Sequence, residues 1–365
     1  MLNIVWFRRD LRVTDHQPLL NAVESGLVAP LVIVEPEYWQ QSFASGRQWR
    51  FASRAIMSLR SQLAVIGAPL IVRTGTAIDA IQTLQEKSRD VVVWSHAGCA
   101  SQWEADRDAE VQSWLDEAGI PWKTIPSIGD GYAPDGEAAD WHDVLASDPE
   151  PAPDIMIAHG VTPGRIVSER ILYLDDDPCE DLPGGAAAAR RAIDLHAAEH
   201  SQASETEDTV RVETTLAAME PHLAWGTLSV REAWIALEAV KLESKNTNAT
   251  QRMQEELLKR FGPISEPHAD TLSSDQIVSL TAMREASADR PEILEALVQL
   301  DEQGIARRDV IGRLVAGLSA RLGVSSERIL ASLAPLCTGF VPDRHTIGSG
   351  FFDLEADGAD QAPVA

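Results

Sequence analysis

Residues 2 to 12 read Leu-Asn-Ile-Val-Trp-Phe and then Arg8-Arg9-Asp10-Leu11-Arg12, with Asp15 close behind. An apolar run of strand character ending in alternating charges suits a first buried strand that delivers polar groups to the rim of a parallel sheet. No other stretch constrains the fold as strongly. Taken alone, it also fits any nucleotide-binding α/β domain in which Arg8, Asp10 and Arg12 pair with one another at a sheet edge.

The next segments repeat the theme. Gly67 to Val72 and Asp90 to Trp94 are short, rich in β-branched residues and apolar on both faces, as suits a sheet covered by helices on both sides. Ile78 to Glu86 and Gln102 to Ala118 carry a helical period. The pattern predicts an α/β fold: a doubly wound, Rossmann-like parallel sheet of about five strands over residues 1–127, with ligands beyond the carboxyl ends of the strands. Pro, Gly and acidic residues dominate from Gly129 through Asp148-Pro149-Glu150-Pro151 to Gly164, which predicts a surface connection over residues 128–183. Residues 184–352 read as an all-α domain. It opens with a helical stretch from Gly184 to His200, followed by a polar acidic break from Ser201 to Asp208. Helical periodicity resumes from Leu216, with breaks near Gly262, Pro267, Pro291, Gly304, Gly323 and Pro335. The tail, 353–365, reads as disordered.

Composition narrows the partners. The net charge of −25 disfavours DNA, because phosphate contacts by Lys and Arg supply most non-specific affinity. A local Arg patch remains compatible with that total, and an acidic surface kept for solubility is its commonest cause. No signal peptide or membrane span fits the sequence, so a cytoplasmic location is expected. Cys99, Cys179 and Cys337 are odd in number and far apart, which predicts free thiols. His16, His96 and His142 show no metal spacing and read as surface or satisfied polar groups, so no metal is expected. No Ser, Cys or His constellation for nucleophilic catalysis is recognisable. Nothing in the sequence names a protein partner.

The opening motif resembles that of the DNA photolyase and cryptochrome family, whose first strand reads Trp-Phe-Arg-x-Asp-Leu-Arg-x-x-Asp. The resemblance runs through about the first 125 residues. It includes Ser45-Gly46-Arg47-Gln48 with Phe51, Ser53, Leu59 and Leu63, similar to the family's Ser-x-Arg-x-x-Phe helix. It implies an antenna-type domain holding a light-harvesting chromophore: a pterin, a deazaflavin or a flavin. The antenna rim then falls on Arg8, Arg9, Asp10 and Arg12 and on Glu104, which aligns with a family glutamate when Arg107-Asp108 and Glu110-Val111 are matched. Trp103 stands where folate binders carry asparagine. Glu104 also reads simply as an acidic residue in the first turn of a helix.

The same resemblance implies a helical FAD-binding domain in the second half. Glu220-Pro221-His222-Leu223-Ala224-Trp225-Gly226-Thr227-Leu228-Ser229 is similar to the family's Ser-Pro-x-Leu-x-x-Gly-x-Leu-Ser segment. Just before it the family presents Thr-Ser-x-Leu-Ser to the FAD pyrophosphate, whereas this chain has Leu216, Ala217, Met219 and Glu220. A small gap would bring Thr214 and Thr215 into those places; their other reading is a helix N-cap. All ten tryptophans lie at or before Trp234, and no tyrosine follows Tyr173. The tryptophans that the family uses in this half for base stacking and electron transfer therefore have no Trp or Tyr counterpart from Ile235 onward. At the family's lesion-contacting stretch, Ile305 stands for tryptophan and Arg308 for asparagine. The expected reading is a degenerate homologue that binds FAD weakly or not at all and does not repair DNA, in a binding or light-signalling-related role. The alternative is an FAD-dependent deoxyribodipyrimidine photolyase, a blue-light repair enzyme.

Overall fold

The computed structural model describes residues 1–88, 90–98, 101–126, 141–175, 179, 182–200, 205–243, 250–251, 253–255, 257 and 276–339. Five parallel strands form one sheet in the order β3-β2-β1-β4-β5: β1 Leu2–Phe7, β2 Leu27–Val34, β3 Ile71–Thr74, β4 Val91–His96 and β5 Trp122–Ile125. Leu2 lies opposite Leu27 on one side and Val91 on the other, so β1 is central, and all six of its residues are buried. Such strands need apolar side chains on both faces, which is why the sequence shows continuous apolar runs rather than alternation.

Helices fill the crossovers: α1 Gln17–Ser25, α2 Pro36–Trp39, α3 Gly46–Val65, α4 Ala77–Gln85 and α5 Gln102–Ala118. Their ends follow local chemistry. The Thr76 side chain caps α4 by accepting from Asp79 N–H, and Ser101 caps α5 through Glu104 N–H. Gly119 closes α5 in the left-handed conformation.

The long helix α3 joins the two halves of the molecule. Its inner face buries Phe51, Ala52, Ala55, Ile56, Leu59 and Leu63, each fully buried Leu or Ile contributing roughly 1.5–3 kcal/mol. Its arginines grip distant carbonyls: Arg50 that of Cys179, Arg54 that of Leu182 and Arg60 that of Gly164. At its start, Arg47 donates to the carbonyls of Leu300 and Leu336, and Gln48 to those of Ala334 and Cys337.

In its described residues the connection packs more closely than its composition predicts. Helix α6, Trp141–Ala146, buries Leu145 against Val230 and Trp234. Ala158 then bridges Val28 in parallel, and Val72 N–H donates to the Pro163 carbonyl. Extended Pro-rich chain can use the open edge of a sheet because its remaining amides are satisfied there. No strand other than that bridge occurs among the described residues beyond β5.

The second half is helical, with α7 Ala186–His200, α8 Glu205–Ala224, α9 Val230–Glu243 and helices Leu280–Ala286, Pro291–Gln303, Arg308–Leu322 and Ser326–Leu333. The acidic break expected at Ser201 to Asp208 is half wrong: helix α8 already begins at Glu205. Pro291 begins a helix that Gly304 ends, and Gly323 ends the next one, both glycines in the left-handed conformation. Leu297, Leu300, Leu314 and Leu333 share one apolar core with Phe51 and Leu59 of α3. The breaks expected at Gly262 and Pro267, and the tail 353–365, lie outside the described residues. So does the side chain of Arg308.

Candidate functional site

The four charged residues after β1 separate to different tasks. Arg8 pairs with Asp108 at 2.6 Å and donates to the His96 carbonyl at 2.5 Å. Asp10 folds back: Oδ1 accepts from the Arg8 backbone N–H at 2.7 Å, and Oδ2 lies 2.6 Å from His96 Nδ1. His16 Nε2 lies 2.9 Å from the same oxygen but out of hydrogen-bond alignment. Arg12 leaves the sheet to hold the carbonyls of Asp15 and Gly226. Arg9 turns the other way, onto the Tyr38 hydroxyl at 2.6 Å and Glu104 at 3.4 Å.

Asp10, His16 and His96 thereby close the crevice between β1 and β4, where the strand order reverses and open α/β sheets commonly bind ligands. The two histidines are not surface groups: His16 is wholly buried and His96 nearly so. Their spacing in the sequence gives no hint of this, because the sheet brings His96, at the end of β4, beside the start of α1 80 residues earlier. Burial pushes Asp10 up, but both imidazoles outweigh it and hold its carboxyl well below the usual range. Burial and His16 push His96 down to about 4 despite Asp10. The trio has the donor types of a metal site. His16 Nδ1, however, accepts from Leu19 N–H as the cap of α1, so its ring proton sits on Nε2, facing Asp10. A cation on Nε2 would force a proton onto Nδ1, donor against donor, so cap and cation exclude each other.

A cavity of about 60 Å³ lies one strand over, beyond the ends of β1 and β2. Arg8, Arg9 and Glu104 line it; Asp10 and Arg12 do not. Glu104 is an acidic residue in the first turn of α5, and its buried side chain forms part of the cavity wall. Its neighbours include Glu35 at the end of β2, paired with Arg107. Arg107 lies over the Trp6 ring at 4.8 Å and the Trp103 ring at 5.5 Å, and its Nη2 is buried with no hydrogen-bond partner among the described residues. Burial raises Glu35 to about 7 against the pull of Arg107, with Glu104 and Asp108 adding to the rise. The carboxyl therefore changes charge near neutrality, beside a permanent cation.

Aromatic rings make the remaining walls. Trp39 meets Trp49 edge-on at 4.9 Å and stacks on Trp225 at 5.7 Å with 8° between the planes. Arg9 lies 5.4 Å from the Trp225 ring and 5.7 Å from that of Tyr38. Trp225 comes from the helical half. Its carbonyl accepts from Leu11 N–H at 3.3 Å and its Nε1 donates to the Thr338 carbonyl at 3.2 Å.

Thr214 and Thr215 are far from this geometry in kind. Both sit inside α8, Thr214 exposed and Thr215 buried, and neither is a helix N-cap. The N-cap expectation fails because the helix starts about two turns earlier than the acidic composition suggested. Leu216 and Met219 enter an apolar cluster with Ile193 of α7 and Leu237 of α9. Backbone amides in a helix interior are committed to carbonyls four residues back, and only the first four of a helix remain for a ligand.

Glu35, Tyr38, Trp39, Arg107 and Trp225 complete the cavity and were not among the candidates. The sequence held a partial signal in Arg107 and Trp225, which lie within two of the resembling segments. Glu35 and the Tyr38-Trp39 pair follow a strand that carries no motif.

An open parallel sheet with a cavity beyond its strand ends, closed by a residue of the helical half, defines an α/β protein with a cleft between its two parts. Comparison with known proteins shows what the chain is similar to. The family model for DNA photolyase matches residues 3–127. Cryptochrome DASH of Natronomonas pharaonis is 28% identical over 275 residues, 66% of this chain and 56% of that protein. The deoxyribodipyrimidine photo-lyase of Halobacterium salinarum is 26% identical over 292 residues, 67% of this chain and 56% of that protein. In fold, the crystal structure of a Synechocystis cryptochrome superposes with a TM-score of 0.75 at 17% identity, covering 99% of this chain and 84% of that one. Residues 3–127 thus match the DNA photolyase family, and the chain as a whole is similar in fold to a cryptochrome. It spans 56% of the length of those two curated relatives.

Proposed function

We propose that this protein is a chromophore-holding, non-repairing member of its family, with a binding or light-signalling-related role. Its ligand is a planar antenna-type ring, a pterin, deazaflavin or flavin, bound in the cavity beyond β1 and β2. The observation that carries the reading is the course of α8. Where the family resemblance places phosphate contacts, the chain is helix interior, with Leu216 and Met219 buried in hydrocarbon. A dianionic pyrophosphate would find no free amide there, and Glu220 would bring a like charge, about 4 kcal/mol of repulsion at 4 Å and an effective dielectric of 20. The net charge of −25 speaks in the same direction against a tight grip on DNA.

The test is FAD content and photorepair. Purified protein, supplemented with FAD and freed of excess, is expected to retain well under one equivalent and to leave thymine dimers intact under blue light. A second reading, the FAD-dependent deoxyribodipyrimidine photolyase, draws on the similarity to the Halobacterium enzyme, which extends well past the sheet domain over 292 residues. One FAD per chain in the helical half, or dimers that vanish in light and persist in the dark, would establish it instead.

A further inference from the structure

The cavity is smaller than the ligand class it suits. Even a benzene ring takes an enclosed space on the order of 150 Å³, and this one offers about 60 Å³, room for a few waters. One of its walls is a side chain from the other half of the molecule. Trp225 lies flat against Trp39 at 5.7 Å and 8°, the disposition a stacked flat ligand would take. The Arg9 guanidinium covers that ring, as it would cover any ring put there. Beside the stack, Arg107 Nη2 has a buried N–H with no described acceptor, and the Glu35 carboxyl gains its proton near neutrality. These groups match the carbonyl oxygens of a flat, fused ring.

We propose that the Trp225 indole is a resident plug, and that a planar ring bearing carbonyl oxygens enters only by displacing it from Trp39. This rests on reading the cavity as a chromophore site. The consequence is competition between ligand and domain docking, because the plug sits in a turn that holds the halves together. Its backbone carbonyl accepts from Leu11 N–H, the next carbonyl, that of Gly226, accepts from Arg12, and the indole N–H holds the Thr338 carbonyl. An indole that swings out gives up the Thr338 bond and pulls on the other two. Ligand occupancy then loosens the helical half from the loop after β1, and a docked helical half keeps the slot shut.

Riboflavin is the probe: an isoalloxazine carrying a neutral ribityl chain and no phosphate, so the FAD phosphate question does not enter. Its fluorescence quenching would be titrated with wild type, Trp225→Ala and Trp225→Phe, alongside hydrogen exchange of the peptide carrying Leu11. Removing the plug is expected to tighten binding about tenfold in Trp225→Ala, the worth of one aromatic stack, with Trp225→Phe between. Riboflavin should speed exchange at Leu11 in wild type and leave it unchanged in Trp225→Ala. If Trp225→Ala does not fold, Trp225→Phe with its smaller ring carries the comparison. Wild type binding riboflavin as tightly as both variants, with Leu11 exchange slowed or unchanged, overturns the plug and leaves the chromophore site standing. No binding to wild type or either variant overturns the plug and the chromophore site together.

Discussion

Glu35 is the residue whose chemistry most separates this site from an ordinary salt-bridged rim. Unfolded, it titrates near 4.5; folded, near 7. Between those values the folded chain keeps a proton that the unfolded chain has released, so the stability Glu35 contributes is lost as pH rises through that window. Glu35→Gln cannot titrate. Relative to wild type it is expected to gain on the order of 2 kcal/mol between pH 5 and pH 8, read from urea melts at the two values. An unchanged difference would mean that Arg107 holds the carboxylate ionised throughout. Gly226 makes the opposite kind of demand. Its φ is +62°, and a Cβ there would meet the Arg9 carbonyl, so the turn carrying Trp225 can approach the β1 loop only without a side chain. Gly226→Ala is expected to cost about 2–3 kcal/mol in the same melts, backbone strain and lost docking together.

Among the elements, α3 and α8 show what a sequence can and cannot reveal. Helix α5 runs from Gln102 to Ala118 as its period predicts, and β4 extends the predicted strand to His96, because capping residues and β-branched runs act locally. Helix α8 was missed at its start because charge-rich composition reads as solvent-exposed loop, although the same charges suit a helix N-terminus. The charged rim after β1 was legible as a cluster of residues, yet not as a partition. Whether Asp10 bonds to His96 or faces a ligand depends on which strand ends adjoin, and that is a property of topology. Arg47 illustrates the same limit: the motif marks it, and only the packed structure shows that its guanidinium serves the carbonyls of Leu300 and Leu336 and the Asp301 carboxylate at 3.0 Å. Arg47→Ala leaves two buried carbonyls to other partners or none. It should cost about 3 kcal/mol and lower the urea midpoint, while Arg54→Ala, nearer the surface, should cost under about 1 kcal/mol.

At the scale of the whole molecule, sheet and helices share one apolar core, running from Val5 and Phe51 to Leu300 and Leu333. No described helix is long and apolar enough to cross a membrane. A fragment of residues 1–126 keeps all five strands but bares the face of α3 that meets the helical half. It is expected to aggregate, or to bind a hydrophobic dye that the full chain ignores, and a soluble fragment with a sharp thermal transition would show instead that the sheet half stands alone. The reach of α3 also sets a clock on biosynthesis. Arg47 waits for the Leu336 carbonyl 289 residues later, roughly 15–60 s of translation at 5–20 residues per second. Throughout that interval the nascent sheet domain carries an uncovered apolar flank on the ribosome, the kind of surface that holdase chaperones engage.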